Sequence, residues 1–362
     1  MVGNIKKNAQ DTLKSVLHEY KIERLHSYNR KNANAALEMI EKQRGRLDSR
    51  LKRKADEYAN DVLGNRKYAP WLYLYSAIKQ DFVDGWFPEY YCDQVVRPLT
   101  DGKYGNLAII KTVTNRILRT DAIPDTAYLI DGILYSHDFI PLIPKDAEEI
   151  IFKNSDIVFF KLNDSASGKG VRRIERKDFN ITKTLASPDG CFQSIIYPHD
   201  FFNEIINGST PTIRITTVRN RFGEVTARGA YLRVARENDS FVTSDSGVRI
   251  PVDIDTGQLG EFGFMNDWSY SVKHPDSGLI YSGKQIPYFS DAKNLCLSLH
   301  TGFPHFMLIG WDFCVDQNNK VKIMEWNANG AGILFHEAFT GPCFSGLGWE
   351  NLWKQDLRSK SL

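Results

Sequence analysis

Two short apolar runs near the C-terminal end of the chain constrain its fold most. Residues 310–315 (GWDFCV) and 321–327 (VKIMEWN) are joined by a polar turn, a pattern that predicts two antiparallel strands. Because side chains alternate along a strand, Glu325 and Asn327 share one face, and Asp312 is expected beside them on the adjacent strand. Two carboxylates and an amide oxygen suit Mg²⁺ that also binds substrate phosphates. A polar hairpin face paired with Lys and Arg explains the spacing equally well.

A second motif places a lysine after an apolar run and ahead of a loop of small residues. Residues 157–160 (IVFF) predict a buried strand, Lys161 follows it, and residues 164–170 read DSASGKG. Backbone N–H groups of Ser and Gly can approach a polyphosphate, whose charge lysines neutralise. The loop is not a Walker A motif, because Lys169 is followed by Gly170. A surface hairpin is the alternative interpretation.

The rest of the chain predicts an α+β fold. Short β-type runs separated by turns begin at about residue 105, and alternation in 212–218 and 226–235 predicts an antiparallel hairpin. Helices are predicted between these runs, at about 109–120, 200–207 and 290–301.

The N-terminal part differs from the rest. Residues 4–65 predict helices, and residues 68–95 have the density of aromatic side chains that is typical of a core or a lobe interface. Residues 1–70 contain 16 Lys and Arg against 9 Asp and Glu, of 46 and 44 in the whole chain. This basic excess indicates either solvated helix faces or an anionic partner for the segment.

Several classes of protein are excluded. The five cysteines are dispersed without a C-x-x-C pair, which argues against a disulfide framework and a zinc site. No apolar run approaches the roughly 18 residues that span a bilayer, and the N-terminus lacks the apolar core of a signal peptide. Gly-x-Ser-x-Gly is absent, which argues against a serine hydrolase. We expect a soluble, cytoplasmic protein with no nucleic-acid partner.

Taken in order, the motifs resemble the ATP-grasp superfamily, in which two α+β lobes clasp the nucleotide. Residues 111–124 (KTVTNRILRTDAIP) resemble its first nucleotide lysine and the following helix, and residues 191–196 (CFQSII) its adenine-binding hinge. Asp200 stands where the family commonly has a ribose-binding acid. The nucleotide-binding residues that the resemblance implies are Lys111, Lys161, Ser167, Gly168, Lys169, Gly170, Gln193, Ser194, Ile196 and Asp200. The Mg²⁺ ligands that it implies are Asp312, Glu325 and Asn327.

Within the superfamily the chain is most similar to the sugar-transfer associated group found with polysaccharide biosynthesis. The passages that carry this likeness are PTIRITT at 211–217, AYLRV at 230–234, HPDSG at 274–278 and IGWD at 309–312. The resemblance implies three regions: a basic, helical and aromatic-rich N-terminal region at 1–95, a small lobe with the phosphate loop at 96–192, and a large lobe with the Mg²⁺ site at 193–350.

Two departures from the family pattern bear on the chemistry. Gly310 stands where many ligases carry an arginine, two residues before the metal-binding acid, and Gln193 replaces the acid of the hinge. We expect Arg214 or Arg233 to stabilise the transferred phosphoryl group instead. A structural salt bridge is the alternative role for either arginine.

The resemblance implies an ATP-dependent carboxylate–amine ligase with ATP and Mg²⁺ as cofactors. A carboxylate attacks the γ-phosphate to give an acyl phosphate and ADP, and an amine then displaces phosphate. The implied substrates are a small-molecule or glycan carboxylate, such as a uronic acid, and an amine or amino acid. A kinase that phosphorylates a hydroxyl and a nucleotide-binding module without turnover are the two alternatives.

Overall fold

The structure, a computed structural model, describes residues 2–102, 104–165, 170–237, 247–328 and 330–355, with the side chains of 2–15 and 18 left out. The helices are α1 Val2–Arg44, α2 Ser49–Asp61, α3 Ala69–Lys79, α4 Glu89–Tyr91, α5 Arg97–Thr100, α6 Thr114–Leu118, α7 Pro144–Ile151, α8 Ile181–Leu185, α9 Asp200–Ile205, α10 Phe289–Gly302 and α11 Leu334–Phe339. The strands are β1 Asp125–Ile130, β2 Ile133–Ser136, β3 Ile157–Leu162, β4 Val171–Glu175, β5 Gly190–Ser194, β6 Thr212–Arg219, β7 Val225–Val234, β8 Val248–Val252, β9 Gly263–Phe264, β10 Tyr270–Ser271, β11 Leu308–Val315 and β12 Val321–Asn327.

The described strands form two antiparallel sheets. The smaller sheet has five strands in the order β2-β1-β5-β3-β4, and the larger sheet has seven in the order β10-β9-β8-β7-β6-β11-β12. The predicted β6–β7 hairpin and β11–β12 pair are both confirmed by their antiparallel registers. The predicted helices at about 200–207 and 290–301 correspond to α9 and α10.

The helix predicted at about 109–120 is shorter than expected. A 3-10 turn, Lys111–Val113, leads into α6, and Arg119 adopts a left-handed conformation with φ 49° that ends the helix. The backbone N–H of Arg119 donates to the carbonyl of Asn115.

Each sheet contributes one face to an apolar core. In β6, Ile213 and Ile215 are fully buried in a core that also contains Cys296 of α10, while the alternate residue Arg214 belongs to the opposite face. In the smaller sheet, Val158 and other apolar residues pack with α7. The candidate site lies on the face of the larger sheet that carries Arg214.

The chain divides into two compact units. The first comprises residues 2–96, 267–269 and 337–355, and the second comprises 97–266 and 270–336, with both sheets. Within the first unit, the buried carboxylate of Glu337 accepts hydrogen bonds from the backbone N–H of Phe87 at 2.7 Å and of Phe344 at 3.4 Å. Burial raises the pKa of Glu337 well above its ordinary value. The three regions proposed from the sequence stay a prediction.

Among the described residues, no helix combines the length and the apolarity that crossing a membrane requires.

Candidate active site

The β11–β12 pair sets the register of the predicted metal ligands. Asp312 lies opposite Glu325, and Gly310 lies opposite Asn327, with an irregularity in the register after Asp312. On its other side β11 pairs with β6, which places Arg214 directly opposite Asp312. The three predicted metal ligands and one predicted catalytic arginine therefore lie on three adjacent strands.

Asp312 forms a buried ion pair with Arg214. Its Oδ1 accepts from Arg214 Nε at 2.6 Å, and its Oδ2 accepts from Arg214 Nη2 at 2.7 Å and from Asn327 Nδ2 at 3.2 Å. The two side chains are only 9% and 8% exposed. Burial alone would raise the pKa of Asp312, but the Arg214 guanidinium, with smaller contributions from Arg233 and Asn327, holds this pKa below its ordinary value. Both carboxylate oxygens of Asp312 are thus engaged by the protein itself.

Gly310 leaves the space that the Arg214 guanidinium needs. A Cβ at position 310 would lie 2.6 Å from the Ala331 carbonyl oxygen and 3.1 Å from Arg214 Nη1. Arg214 Nη1 also donates to the Ala331 carbonyl at 2.7 Å. The guanidinium on β6 therefore lies beside the position from which an arginine at 310 would extend.

Two lysines reach β12 at Met324 and Glu325, and one of them, Lys111, contacts the carboxylate of Glu325. Lys111 Nζ donates to Glu325 Oε1 at 2.7 Å, with the Lys111 side chain 10% and the Glu325 side chain 36% exposed. Lys161 Nζ donates to the Met324 carbonyl at 3.1 Å. Burial lowers the pKa of Lys161, and the nearby Glu325 carboxylate acts in the opposite direction. Both predicted nucleotide lysines therefore reach β12 beside a predicted metal ligand.

A small pocket adjoins Lys111. It is lined by apolar and polar side chains of both sheets and of the segment before β1, namely Ala108, Lys111, Thr114, Ile123, Gln193, Ile323, Met324, Glu325 and Trp326. The pocket brings the predicted hinge residue Gln193 together with Lys111 and Glu325. An apolar recess bordered by the Lys111 ammonium group suits an apolar group that is followed by a charged chain.

The sequence interpretation missed Asp125 beside this pocket. Gln193 Nε2 donates to Asp125 Oδ1 at 2.8 Å, and the Tyr128 hydroxyl donates to Asp125 Oδ2 at 3.0 Å. Burial raises the pKa of Asp125, against the effect of these hydrogen bonds. A carboxylate at the first position of an otherwise apolar strand was the available signal.

The other predicted hinge residues, Ser194 and Ile196, form hydrogen bonds within the protein. The Ser194 N–H donates to the Pro124 carbonyl at 2.9 Å, and the Ile196 carbonyl accepts from Thr210 Oγ1 at 3.0 Å. Asp200 is exposed at the first position of α9 and is not among the residues that line the pocket.

Only the flanks of the predicted phosphate loop are described. Ser167, Gly168 and Lys169 lie outside the described residues. The Gly170 carbonyl accepts from the Leu162 N–H at 3.0 Å, and Ser165 Oγ donates to the Leu162 carbonyl at 2.7 Å. A Cβ at Gly170 would lie 2.2 Å from Ser165 Cβ, so glycine is required for this close approach.

Arg233 lies on β7, on the same face as Arg214. It is opposite Thr212, two residues before Arg214 on β6. Its Nη2 donates to the Tyr231 hydroxyl at 3.3 Å. Burial raises the pKa of Asp312, and Arg214 lowers it; the charge of Arg233 also lowers it, by less than Arg214 does. Arg233 thus lies within electrostatic range of the Arg214–Asp312 pair.

A match to a protein-family model identifies the family of this chain. A family model described as sugar-transfer associated ATP-grasp matches residues 149–343, which is more than half of the chain. The chain belongs to this family. The predicted α+β ATP-grasp fold is thereby confirmed. The sugar-transfer associated ATP-grasp match covers Lys161, Arg214 and the three predicted metal ligands, whereas Lys111 precedes it.

Solved structures provide more distant likenesses. The biotin carboxylase domain of Hydrogenobacter thermophilus 2-oxoglutarate carboxylase, solved with Mg·ADP, ADP and bicarbonate, is 13% identical, with a TM-score of 0.43 and coverage of 70% of this chain and 47% of that one. N5-carboxyaminoimidazole ribonucleotide synthetase from Thermotoga maritima is 11% identical, with a TM-score of 0.38 and coverages of 70% and 54%. The ATP-grasp ligase PsnB with its minimal precursor is 13% identical, with a TM-score of 0.36 and coverages of 63% and 55%.

The chain spans about half the length of these solved structures. No curated protein sequence matches the chain significantly.

Proposed function

We propose that this sugar-transfer associated ATP-grasp protein is an ATP-dependent carboxylate–amine ligase that releases ADP and phosphate. The observation that carries the proposal is the convergence of Lys111 and Lys161 on β12 at Glu325, beside the apolar pocket. Two ammonium groups near this apolar recess suit the phosphates of a nucleotide, because they neutralise its charge at fixed positions.

Nucleotide binding exchanges the partners of two charged groups. In the structure, Lys111 neutralises Glu325 at 2.7 Å. On binding, Lys111 turns to the phosphates and Glu325 becomes available to a metal ion. The ion pair keeps both charges compensated until the nucleotide and metal arrive together.

The residues present fit Mg²⁺. Glu325 is the more accessible of the two predicted carboxylate ligands, at 36% side-chain exposure against 9% for Asp312. Asn327 adds an amide oxygen two residues along the same strand as Glu325. Hard oxygen donors of this kind suit Mg²⁺, which neutralises phosphate charge when bound. Glu325 and Asn327 would hold the ion, and Asp312 would join them by sharing one oxygen that Arg214 now binds.

Arg214 is our candidate for stabilising the transferred phosphoryl group. A guanidinium has five N–H donors. Among the described residues, three donors of Arg214 form hydrogen bonds, two to Asp312 and one to the Ala331 carbonyl. The other two donors remain for phosphoryl oxygens. Asp312 fixes the guanidinium plane, so no reorientation is needed as charge develops.

The proposed reaction proceeds in two steps. A carboxylate oxygen of the first substrate attacks the γ-phosphorus and ADP leaves, and an amine then attacks the acyl carbon and releases phosphate. We propose a small-molecule or glycan carboxylate, such as a uronic acid, and an amine or amino acid as substrates, since the family name associates these proteins with sugar transfer. An anionic partner for the basic N-terminal segment stays part of this proposal.

A screen for ADP release over paired carboxylate and amine libraries tests the function. The proposal expects release only when both substrates are present, and a product whose mass equals that of the two substrates minus water. Release with a single hydroxyl substrate, accompanied by a phosphorylated product, indicates the kinase alternative. Lys111→Met is the matched inactive variant, and Lys145→Met, an exposed lysine on α7, is its control.

A further inference from the structure

A cavity in the first compact unit lies where the turn between α1 and α2, the start of α2 and the end of α3 meet. Its volume is about 430 Å³, and small-molecule sites commonly occupy about 300–1,000 Å³. Three basic side chains line it, Arg46 from the turn and Arg50 and Lys54 from α2. None of the described residues that line it also lines the pocket at Lys111. We call this cavity the basic pocket.

Positive charge accumulates at the start of α2. Residues 49–54 read SRLKRK, and the first turn of the helix contains no acidic residue. Basic side chains are unfavourable near a helix N-terminus, where the macrodipole is positive. Arg50 and Lys54 are four residues apart, so they lie on one face of the helix and repel each other. A negative charge in the basic pocket would relieve both effects.

One carboxylate already compensates part of this charge. Asp48 caps α2, and its Oδ1 accepts from the Arg50 N–H at 2.7 Å, while its Oδ2 pairs with Arg50 Nη2 at 2.6 Å. The Arg50 and Asp48 side chains are 78% and 39% exposed, so the ion pair contributes little stability. Asp48 therefore compensates the helix N-terminus and Arg50, but not the other two cations of the basic pocket.

Arg46 and Lys54 are cations without an acidic partner. Within the part of the chain that the structure describes, neither side chain forms an ion pair or a hydrogen bond. Acidic side chains of the neighbouring turns have other partners: Glu41 Oε1 accepts from a backbone N–H of the turn at 2.9 Å, and Asp56 pairs with Arg66 at 2.7 Å. Two charges in the basic pocket are therefore open to a ligand.

Asp81, which follows α3, is the remaining charge of the basic pocket. Its Oδ1 accepts from the N–H of the next residue, Phe82, at 2.8 Å. The lining has three positive charges against two negative ones, which leaves a net charge of +1. A ligand must therefore offer several oxygens to Arg46, Arg50 and Lys54 together. A phosphate group has more oxygens than a carboxylate and meets this requirement better.

We propose that the basic pocket binds a phosphate group, carried by a small phosphorylated molecule or by a lipid headgroup. An arginine guanidinium matches phosphate oxygens with two parallel N–H groups, and a lysine adds a compact positive charge. The basic N-terminal segment thereby gains a defined anionic ligand. The inference does not depend on the proposed ligase activity, because no residue of the basic pocket is proposed to take part in that activity.

Calorimetry with a matched pair of ligands tests the basic pocket. α-D-glucose 1-phosphate and the uncharged methyl α-D-glucoside are titrated into the full chain at constant ionic strength, with Mg·ADP in excess. We expect binding of the phosphate only. Arg46→Met and Lys54→Met should each weaken this binding at least about threefold, the expected effect of losing one charged contact at an exposed site.

Two further variants complete this measurement. Arg53→Met removes the same charge from α2 at an exposed position that does not line the basic pocket, so it should bind glucose 1-phosphate like the wild type. Asp81→Asn removes a repelling charge and should bind at least about twofold more tightly. All four substitutions are at exposed positions, so they should leave folding intact.

Vesicle sedimentation identifies the source of the phosphate group. Phosphatidylcholine vesicles with and without phosphatidic acid are mixed with the wild type, Arg46→Met and Arg53→Met. Binding that needs phosphatidic acid and is lost only in Arg46→Met supports the basic pocket as a lipid headgroup site. Binding of glucose 1-phosphate without vesicle binding supports it as a site for a soluble phosphate.

Three results overturn the proposal: neither glucose 1-phosphate nor phosphatidic acid vesicles bind, Arg46→Met and Arg53→Met weaken binding equally, or Lys111→Met alone abolishes it. The second result indicates non-specific attraction to a basic surface, and the third places the phosphate at the predicted nucleotide lysine. A failure of Mg·ADP to bind the wild type contradicts the proposed function, whereas the comparison of the variants still decides the basic pocket.

Discussion

The guanidinium of Arg214 binds both carboxylate oxygens of Asp312, from directly opposite positions on β6 and β11, with N···O distances of 2.6 and 2.7 Å. The two residues are 98 apart in sequence. Removing either one leaves an uncompensated charge in a buried position, whereas removing both leaves none. The pair therefore links the stability of the larger sheet to the geometry of the proposed site.

The first prediction concerns this pair. Arg214→Met and Asp312→Leu should each lower the free energy of unfolding by about 3 kcal/mol or more, because each leaves the partner's charge buried without an opposite charge beside it. The double variant should cost clearly less than the sum of the two. Urea denaturation of the four proteins gives the coupling energy, and strictly additive losses contradict the account.

A second prediction concerns Gly310. Gly310→Ala should destabilise the protein by about 1–3 kcal/mol, because the new Cβ would lie 2.6 Å from the Ala331 carbonyl oxygen. Gly302→Ala at the end of α10 is the matched control, since nothing lies within 4 Å of its added Cβ. The control should be neutral or stabilising by up to about 1 kcal/mol. Equal melting temperatures for the two variants would exclude the steric explanation.

The third prediction concerns the exchange of partners at Glu325. Glu325→Gln should bind ADP without Mg²⁺ at least as tightly as the wild type, because Lys111 is released and a negative charge is gone. It should lose the gain in affinity that Mg²⁺ gives, and turnover should fall at least about a hundredfold. Calorimetry with and without Mg²⁺ measures both binding effects. Glu224→Gln, in the exposed β6–β7 turn, is the control. An unchanged response to Mg²⁺ rejects Glu325 as a ligand.

Local sequence patterns predicted the strands of the site but not all of their partners. Two hairpins could be predicted from local sequence: β6–β7 from its alternating pattern, and β11–β12 from the polar turn between its strands. In each hairpin the two paired strands follow one another in the chain, so a short stretch of sequence contains the whole pattern. The pairing of β6 with β11 joins distant segments. This pairing depends on the burial of Ile213 and Ile215 in the common core. The alternation of residues within one strand does not show which distant strand will pair with it. For that reason Arg214 could be named as a candidate, whereas its ion pair with Asp312 could not be predicted.

Buried polar groups were the least predictable part. The carboxylates of Asp125 and Glu337 become buried only when distant segments of the chain pack around them. Gln193 then donates a hydrogen bond to Asp125, and the backbone N–H groups of Phe87 and Phe344 donate to Glu337. The position of a carboxylate in the sequence does not show which distant segments will surround it. The hydrogen bonds of the predicted hinge residues Gln193 and Ser194 also join segments that are distant in sequence.

The fourth prediction concerns the pH dependence of stability. Asp101 is 2% exposed, and its Oδ1 accepts from the Met307 N–H at 2.7 Å. Burial raises the pKa of Asp101 to about 6. The folded state therefore retains a proton that the unfolded chain releases near pH 4, so stability falls as the pH rises from about 4 to about 6. The loss amounts to at most about 3 kcal/mol.

Asp101→Asn should flatten this dependence, since the amide keeps an acceptor for Met307 and carries no titrating proton. Denaturation of the variant and of the control Asp291→Asn, an exposed position on α10, is measured from pH 4 to pH 7. A slope for Asp101→Asn that equals that of the control contradicts the assignment.

Isotope transfer tests the central claim most directly. The carboxylate that supports ADP release is labelled with ¹⁸O in its carboxyl group, and the released phosphate is analysed by mass spectrometry. A ligase that activates the carboxylate by phosphorylation transfers one labelled oxygen to each phosphate, because the C–O bond breaks when the amine attacks. We expect phosphate that carries one ¹⁸O, with the other ¹⁸O retained in the amide. Unlabelled phosphate, or a stable phosphorylated product formed without any amine, would contradict it.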